Sequence, residues 1–318
     1  MKKKKTDNDI YATTEHGHFI ILFHSRNLNA IIDVAIRFLI IQLSMKTFYT
    51  RFALAIPILF LAAHIVHAEE RIGIFVGIDR YKNKEYSRLR VAVKDVKALA
   101  ERMKPSLDRV IELHNEKATY AAIEDLFVRD LPKNTPKENC TIFIVWSGHG
   151  DRCPDEDGDE EDGFDEFLCP YDVSKDNPET FVLDDKLFAW IQQLEGRQIV
   201  LILDTCYSGG MEKSGPHVFD FFGDELANDT RKSPITHVVF ASSSGCDKSH
   251  VHGSLKYSVF TYYLLEFLDS DEHGDIEEAY KYVKPRIIAH LRDFHRIKNS
   301  TGAHLFFPVK KKIRLKSR

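Results

Sequence analysis

Two short stretches hold side chains whose types and spacing could do chemistry. "WSGHG", residues 146–150, carries His149 between two glycines, and "LILDTCYSGG", residues 201–210, carries Cys206 directly after an apolar run, Asp204 and Thr205. A thiolate is a strong nucleophile, and a nearby imidazole supplies either the base that makes it or the charge that stabilises it. The glycines allow backbone N–H groups close to a developing oxyanion, and those of Gly150 and Cys206 are the natural donors. Taken singly, each residue has a plain structural reading. A small buried thiol at a strand end is common, and a lone strand-end histidine is more often a satisfied structural residue than a base. What favours chemistry is that both stand at corresponding positions, just past or at the carboxyl ends of two predicted strands.

The elements that must position them follow from the apolar pattern. Strands are predicted at Ile72–Ile78, Val110–Leu113, Ile142–Trp146, Ile199–Leu203 and His237–Ala241. The third is apolar at every position, as a strand buried on both faces would be. Between them lie helical repeats: Val93 to Met103, a helix capped by Thr119 that carries Ile123, Leu126, Phe127 and Leu131, and one opened by Asp184-Asp185. Two more helices are predicted around Tyr257–Leu268 and Ile276–Leu291. Strands alternating with helices predict an α/β fold, a mostly parallel central sheet of about six strands covered on both faces. In such sheets reactive groups gather beyond the carboxyl ends of the strands, and neighbouring strands about 5 Å apart can bring imidazole and thiol into one crevice. Residues 151–168 and 205 to roughly 234 are read as loops too long to be simple connectors.

Composition bounds the partners. Hydrophobic residues at 43% and charged residues at 29% fit a soluble globular chain. A net charge of -4 offers no argument for nucleic acid, and the lysine runs at Lys2–Lys5 and Lys310–Lys312 are read as solvated tails. From Met45 the order Lys46, Arg51, an apolar run Phe52–Val66 and then Val66-His67-Ala68 is that of a secretory signal with cleavage after Ala68. An uncleaved membrane anchor competes, although about 15 apolar residues is short for a span of roughly 20. Residues 1–44 are a doubtful N-terminal extension, Met45 being a good start in its own right, and residues 69–318 are read as one domain. Export to a periplasmic or secreted location implies an oxidising compartment. Five cysteines (Cys140, Cys153, Cys169, Cys206 and Cys246) then leave at least one unpaired.

Three stretches in order, "SGHG", "DEDGDEEDGFDEFLCPYD" and "DTCYSGG", resemble the metacaspase branch of the caspase-like cysteine peptidases, over a range from about Ile72 to Tyr282. The 57 residues between His149 and Cys206 are close to the roughly 50 typical of caspases. The resemblance implies a caspase-like fold, an exported peptidase of bacterial type, His149 as base, Cys206 as nucleophile, and Gly150 with Cys206 as oxyanion hole. No cofactor is implied for the chemistry itself.

Asp204, two residues before the nucleophile, can point into the primary specificity pocket, pair with arginine or lysine of a peptide or protein substrate, and repel aspartate. Metacaspases resemble this in cleaving after basic residues, and Asp95 and Ser147 match further pocket positions. Asp95 also reads as a solvated helix carboxylate, and Ala92 stands where the family commonly has cysteine. The acidic stretch packs nine carboxylates into residues 155–166, a density that suits a hard cation such as calcium. Asp155, Asp157, Asp159 and Asp162 are candidate ligands there, against the reading of a solvated hairpin. With Glu166 part of that stretch approaches an EF-hand spacing, but Glu160 replaces the needed glycine and no flanking helix pair is evident. Asp184-Asp185 resembles a paired aspartate through which metacaspases bind activating calcium, against a plain role in the helix start. Near Lys213, where a further family ligand falls, this chain has no carboxylate. Lys213, Arg231 and Lys232 are candidate self-processing sites.

Three readings compete: a caspase-like scaffold that binds or regulates without turnover, a peptidase of the same fold preferring aspartate or asparagine, and a serine hydrolase using Ser208. Asp204 opposes the second, and the absence of G-x-S-x-G around Ser208 opposes the third.

Overall fold

The computed structural model describes residues 10–15, 18–23, 36, 69–155, 158, 163–207, 236–242, 256–270, 274–295, 303–306 and 313–315. The chain divides into two units, Met1–Ala68 and Glu69–Arg318. In the first, β1 (Ile10–Glu15) and β2 (His18–Phe23) form an antiparallel hairpin with Thr13 opposite Ile20, in a stretch for which no element is predicted. The predicted signal, residues 45–68, lies outside the described residues. Among those residues no helix is long and apolar enough to cross a membrane.

The second unit is an α/β sheet in the order β10-β9-β8-β5-β3-β4. Its strands are β3 (Glu70–Gly77), β4 (Arg109–His114), β5 (Cys140–Pro154), β8 (Gln198–Tyr207), β9 (Thr236–Ser242) and β10 (Ala303–Phe306). All neighbours are parallel except β10, which runs against β9. The alternation of side chains along a strand assigns two cores. Ile72, Ile74 and Val76 of β3, Ile142, Ile144 and Trp146 of β5, and Ile199, Leu201 and Leu203 of β8 share one apolar cluster. The residues between them, Phe75, Phe143, Val145, Val200 and Ile202, belong to the other.

The second cluster is closed by α1 (Ala92–Met103), α5 (Val259–Asp269) and α6 (Ile276–His295), through Val96, Leu99, Phe260, Leu264 and Ile287. The first is closed by α2 (Tyr120–Asp125), α3 (Leu131–Asn134) and α4 (Asp184–Gln192), through Ile123, Leu131, Leu187 and Ile191. Thr119 caps α2, its Oγ1 accepting from Ala122 N at 3.2 Å. Between α2 and α3 the helix widens into a π turn, Leu126–Asp130, in which the Leu131 N–H bonds to the Leu126 carbonyl. Pro132, next in line, has no N–H with which to continue the ordinary ladder.

One strand is longer than predicted. β5 does not stop before His149 but runs 15 residues to Pro154. Beyond its parallel partners, Gly150–Pro154 pairs antiparallel with β6 (Phe164–Leu168), Gly150 opposite Leu168, and β6 pairs in turn with β7 (Val182–Leu183). Much of the acidic segment read as a loop is therefore a two-stranded arm. It stays ordered because Phe167 and Leu168 join the first core, and Phe167 stacks on Phe181 with centroids 3.9 Å apart.

Candidate active site

The register of β5 against β8 sets the site. Ser147 is the Cα partner of Asp204, His149 of Cys206, and Gly150 of Tyr207. Cys206 is the second-last residue of β8, and its side chain lies outside the described residues; its place is that of its backbone, level with His149.

His149 is 4% exposed and is held from three directions. Its backbone N–H donates to Tyr81 Oη at 2.7 Å, and the Tyr81 ring lies 5.1 Å from the imidazole, centroid to centroid. Tyr86 stands 6.3 Å away on the same basis. Nε2 lies 2.8 Å from the carbonyl oxygen of Ser87. A carbonyl only accepts, so Nε2 carries the proton and Nδ1 the lone pair. Nδ1 is buried and has no hydrogen-bond partner among the described residues. Burial pushes the His149 pKa below its ordinary value, against the opposing pull of the Ser87 carbonyl and the Asp151 charge. Burial thus favours the neutral imidazole, and the Ser87 carbonyl selects the tautomer whose Nδ1 lone pair has no partner among the described residues.

The residues that hold His149 come from the loop after β3. Asn115 Oδ1 accepts from Asp79 N at 2.9 Å and Arg80 N at 3.1 Å, Lys82 N donates to the Tyr171 carbonyl at 2.8 Å, and Leu89 N to the Asp79 carbonyl at 2.9 Å. Gly148 belongs to this packing, since a Cβ there would meet Tyr81 Oη at 3.0 Å. Sequence reasoning missed Tyr81, Tyr86 and Ser87. Their one visible signal is position: they follow a strand at the same carboxyl edge as His149 and Cys206.

Two buried carboxylates stand beside this pair. Asp204 is 6% exposed and Asp95 fully buried, so the reading of Asp95 as a solvated helix carboxylate is corrected. α1 lies close enough to β3 to bury it because Gly77 leaves room: a Cβ there would meet Val96 Cγ2 at 2.5 Å and Val93 Cα at 2.9 Å. Asp95 accepts from the Ser258 N–H at 3.2 and 3.3 Å through its two oxygens. Asp204 Oδ2 accepts from Ser258 Oγ and from Thr261 Oγ1, the latter at 2.7 Å. Burial first, then the Asp204 charge, push the Asp95 pKa well above the usual carboxylate range, against the Ser258 bonds. Asp79, half-buried, accepts from Val93 N at 3.4 Å and is also raised by burial. Ser147, 4% exposed, completes the group by its register with Asp204. Ala92 is buried at the start of α1. Ser258 and Thr261 were missed, although a serine before an apolar helix is a readable cap.

Of the candidate calcium ligands, Asp155, Asp184 and Asp185 are among the described residues. Among the described residues no group of three or more His, Cys, Asp or Glu is arranged to hold a metal. Asp184 is buried and Asp185 exposed in the first turn of α4, and adjacent helical positions do not face one another. Asp155 Oδ1 accepts from Gly158 N at 2.6 Å, closing the tip of the arm, and Glu166 is buried at its base. Asp157, Asp159 and Asp162, like Lys213, Arg231, Lys232, Ser208 and Cys246, lie outside the described residues. No disulfide joins Cys140, Cys153 and Cys169. Burial raises Cys140 to about 11 and Cys169 well above its ordinary value, which makes both inert as nucleophiles at neutral pH.

The chain is similar to several known proteins. Metacaspase-7 of Arabidopsis thaliana is 28% identical over 169 residues, 52% of this chain and 39% of that protein. Metacaspase-1B of Aspergillus oryzae is 40% identical over 75 residues, 23% of this chain and 17% of that protein. The chain thus spans well under half the length of these curated relatives. In fold it is similar to caspase-1 of Spodoptera frugiperda, with a TM-score of 0.52 at 10% identity, covering 79% of this chain and 92% of that one. Residues 70–302 match the Caspase domain, Peptidase_C14, and the chain belongs to that family.

Proposed function

We propose that the protein is a cysteine endopeptidase that cleaves peptide bonds after arginine or lysine. The observation that carries this reading is the pairing of His149 with Cys206 across β5 and β8, with Nε2 of the imidazole committed to the Ser87 carbonyl. In the mechanism Nδ1 takes the proton from the Cys206 thiol, and the thiolate attacks the scissile carbonyl carbon. The N–H groups of Gly150 and Cys206 receive the oxyanion. The imidazolium, its second proton on the Ser87 carbonyl, then gives a proton to the leaving amine. Water, deprotonated by the same nitrogen, hydrolyses the acyl-enzyme and frees the thiol. Asp95 and Asp204, two carboxylates sharing one buried patch, supply a reason to accept a cationic side chain and reject an acidic one.

The test is hydrolysis of paired fluorogenic peptides ending in arginine and in aspartate, by the full chain and by Cys206→Ala. Arginine-peptide cleavage is expected to fall on the order of a thousandfold or more in the variant. Aspartate cleavage by the wild type would overturn the assigned specificity. Turnover of neither peptide would favour a binding module. Arms with added calcium and with chelator read out the calcium dependence that the family likeness implies.

A further inference from the structure

The two carboxylates of the proposed specificity pocket are tied together by a single residue. Ser258 gives its N–H to Asp95, at 3.2 and 3.3 Å from the two oxygens, and its hydroxyl to Asp204. The same Oγ accepts from Thr261 N at 3.0 Å as the cap of α5. Thr261, fully buried, places its own hydroxyl on Asp204 at 2.7 Å. These contacts reach across 163 residues to Asp95 and 54 to Asp204. The first turn of α5 contains no acidic residue, and the helix N-terminus adds partial positive charge. The charged groups facing this point are Asp95 from α1, Asp204 from β8 and, beyond Asp95, Asp79 from the loop after β3.

We propose that Ser258, seconded by Thr261, is the positioning residue of the specificity pocket: its two donors hold the side chains of Asp95 and Asp204 at a fixed separation and orientation, and so set the preference for a cationic substrate side chain. This rests on the basic-residue reading above. Two like charges in one buried patch repel, and a patch this dry favours their neutral forms. A donor shared between them relieves both effects, because hydrogen bonds to the charged form favour it. Substrate carrying a guanidinium or ammonium group then meets a prepaired anionic site. A substrate without charge gains nothing from it.

The experiment compares kcat/KM of the full chain on an arginine peptide and on its citrulline counterpart, which keeps the shape and loses the charge. Ser258→Ala removes the hydroxyl donor and the helix cap together. Thr261→Val removes a donor to Asp204 and leaves the cap, so it separates pocket chemistry from stability. Ser258→Thr restores both. The arginine-to-citrulline ratio is expected to fall about tenfold in Ser258→Ala, the effect of one charge-assisted hydrogen bond, and by a smaller factor in Thr261→Val. Ser258→Thr should recover most of the wild-type ratio. The acid limb of the arginine-peptide profile should also move to higher pH in both donor-deleted variants, which a purely structural cap would not cause. A high wild-type ratio that Ser258→Ala and Thr261→Val both keep overturns this inference alone. A wild-type ratio near one overturns the basic-residue reading, and the inference with it.

Discussion

The Ser87 carbonyl costs His149 one of its nitrogens and, by doing so, decides what the other can do. With Nε2–H committed at 2.8 Å, only Nδ1 can accept a proton, and burial keeps it unprotonated near neutral pH. The imidazole must also stay level with Cys206, and its backbone is anchored by Tyr81 Oη. Tyr81→Phe keeps the ring that packs on the imidazole and removes that acceptor. A buried N–H left without a partner costs about 1–3 kcal/mol. Part of that cost is expected in the catalytic geometry, so kcat on the arginine peptide should fall about tenfold with KM little changed. Steady-state kinetics of the full chain checks this. A variant with wild-type kcat would show that strand pairing alone places the histidine.

At the scale of elements, the close approach of α1 to β3 buries Asp95 beside Ser258, in the pocket proposed above. Gly77→Ala would set a Cβ 2.5 Å from Val96 Cγ2 and 2.9 Å from Val93 Cα. Overpacking of this kind costs about 1–3 kcal/mol, and the helix can relieve it only by moving outward with Asp95. A lower denaturation midpoint together with a reduced arginine-to-citrulline ratio is expected. An unchanged midpoint would mean the sheet yields instead. These elements differ in how far they were legible. The apolar runs of β3, β5 and β8 were readable because every residue there is buried on one face or the other, and the match of strand ends gave the His149–Cys206 pairing its rationale. β6 was not readable. Its residues Asp165 and Glu166 belong to an acidic stretch whose charge density reads as solvated loop, and what orders it is contact with Phe181, Val182 and the end of β5. The Ser258 contacts were illegible for a related reason. They join residues 163 and 54 positions apart, and local pattern carries no trace of such a pairing.

For the molecule as a whole, one edge of the sheet concentrates groups that folding alone would not choose. Asp79, Asp95 and Asp204 lie together there, beside a neutral buried histidine. Asp95 has its pKa raised by burial and by Asp204, so above the unfolded value of about 3.9 the native state holds a proton more readily than the unfolded chain. The native state then binds more protons than the unfolded one, and unfolding free energy falls as pH rises through that window toward the folded value. Asp95→Asn removes the charge, keeps an oxygen that can accept from Ser258 N, and ends the repulsion with Asp204. The variant should therefore be more stable than wild type at neutral pH, with a higher Tm. Its advantage should shrink as the pH is lowered toward 4 and the wild-type carboxyl becomes protonated in both states. Its arginine-peptide kcat/KM should fall at the same time, because half of the anionic patch is gone. Thermal melts from pH 4 to pH 8, run beside the peptide assay, separate the outcomes. A stabilised and less selective variant means the pocket charge is held against the interest of stability. A destabilised one would mean that the bond from Ser258 to both carboxylate oxygens outweighs the burial and repulsion that oppose it.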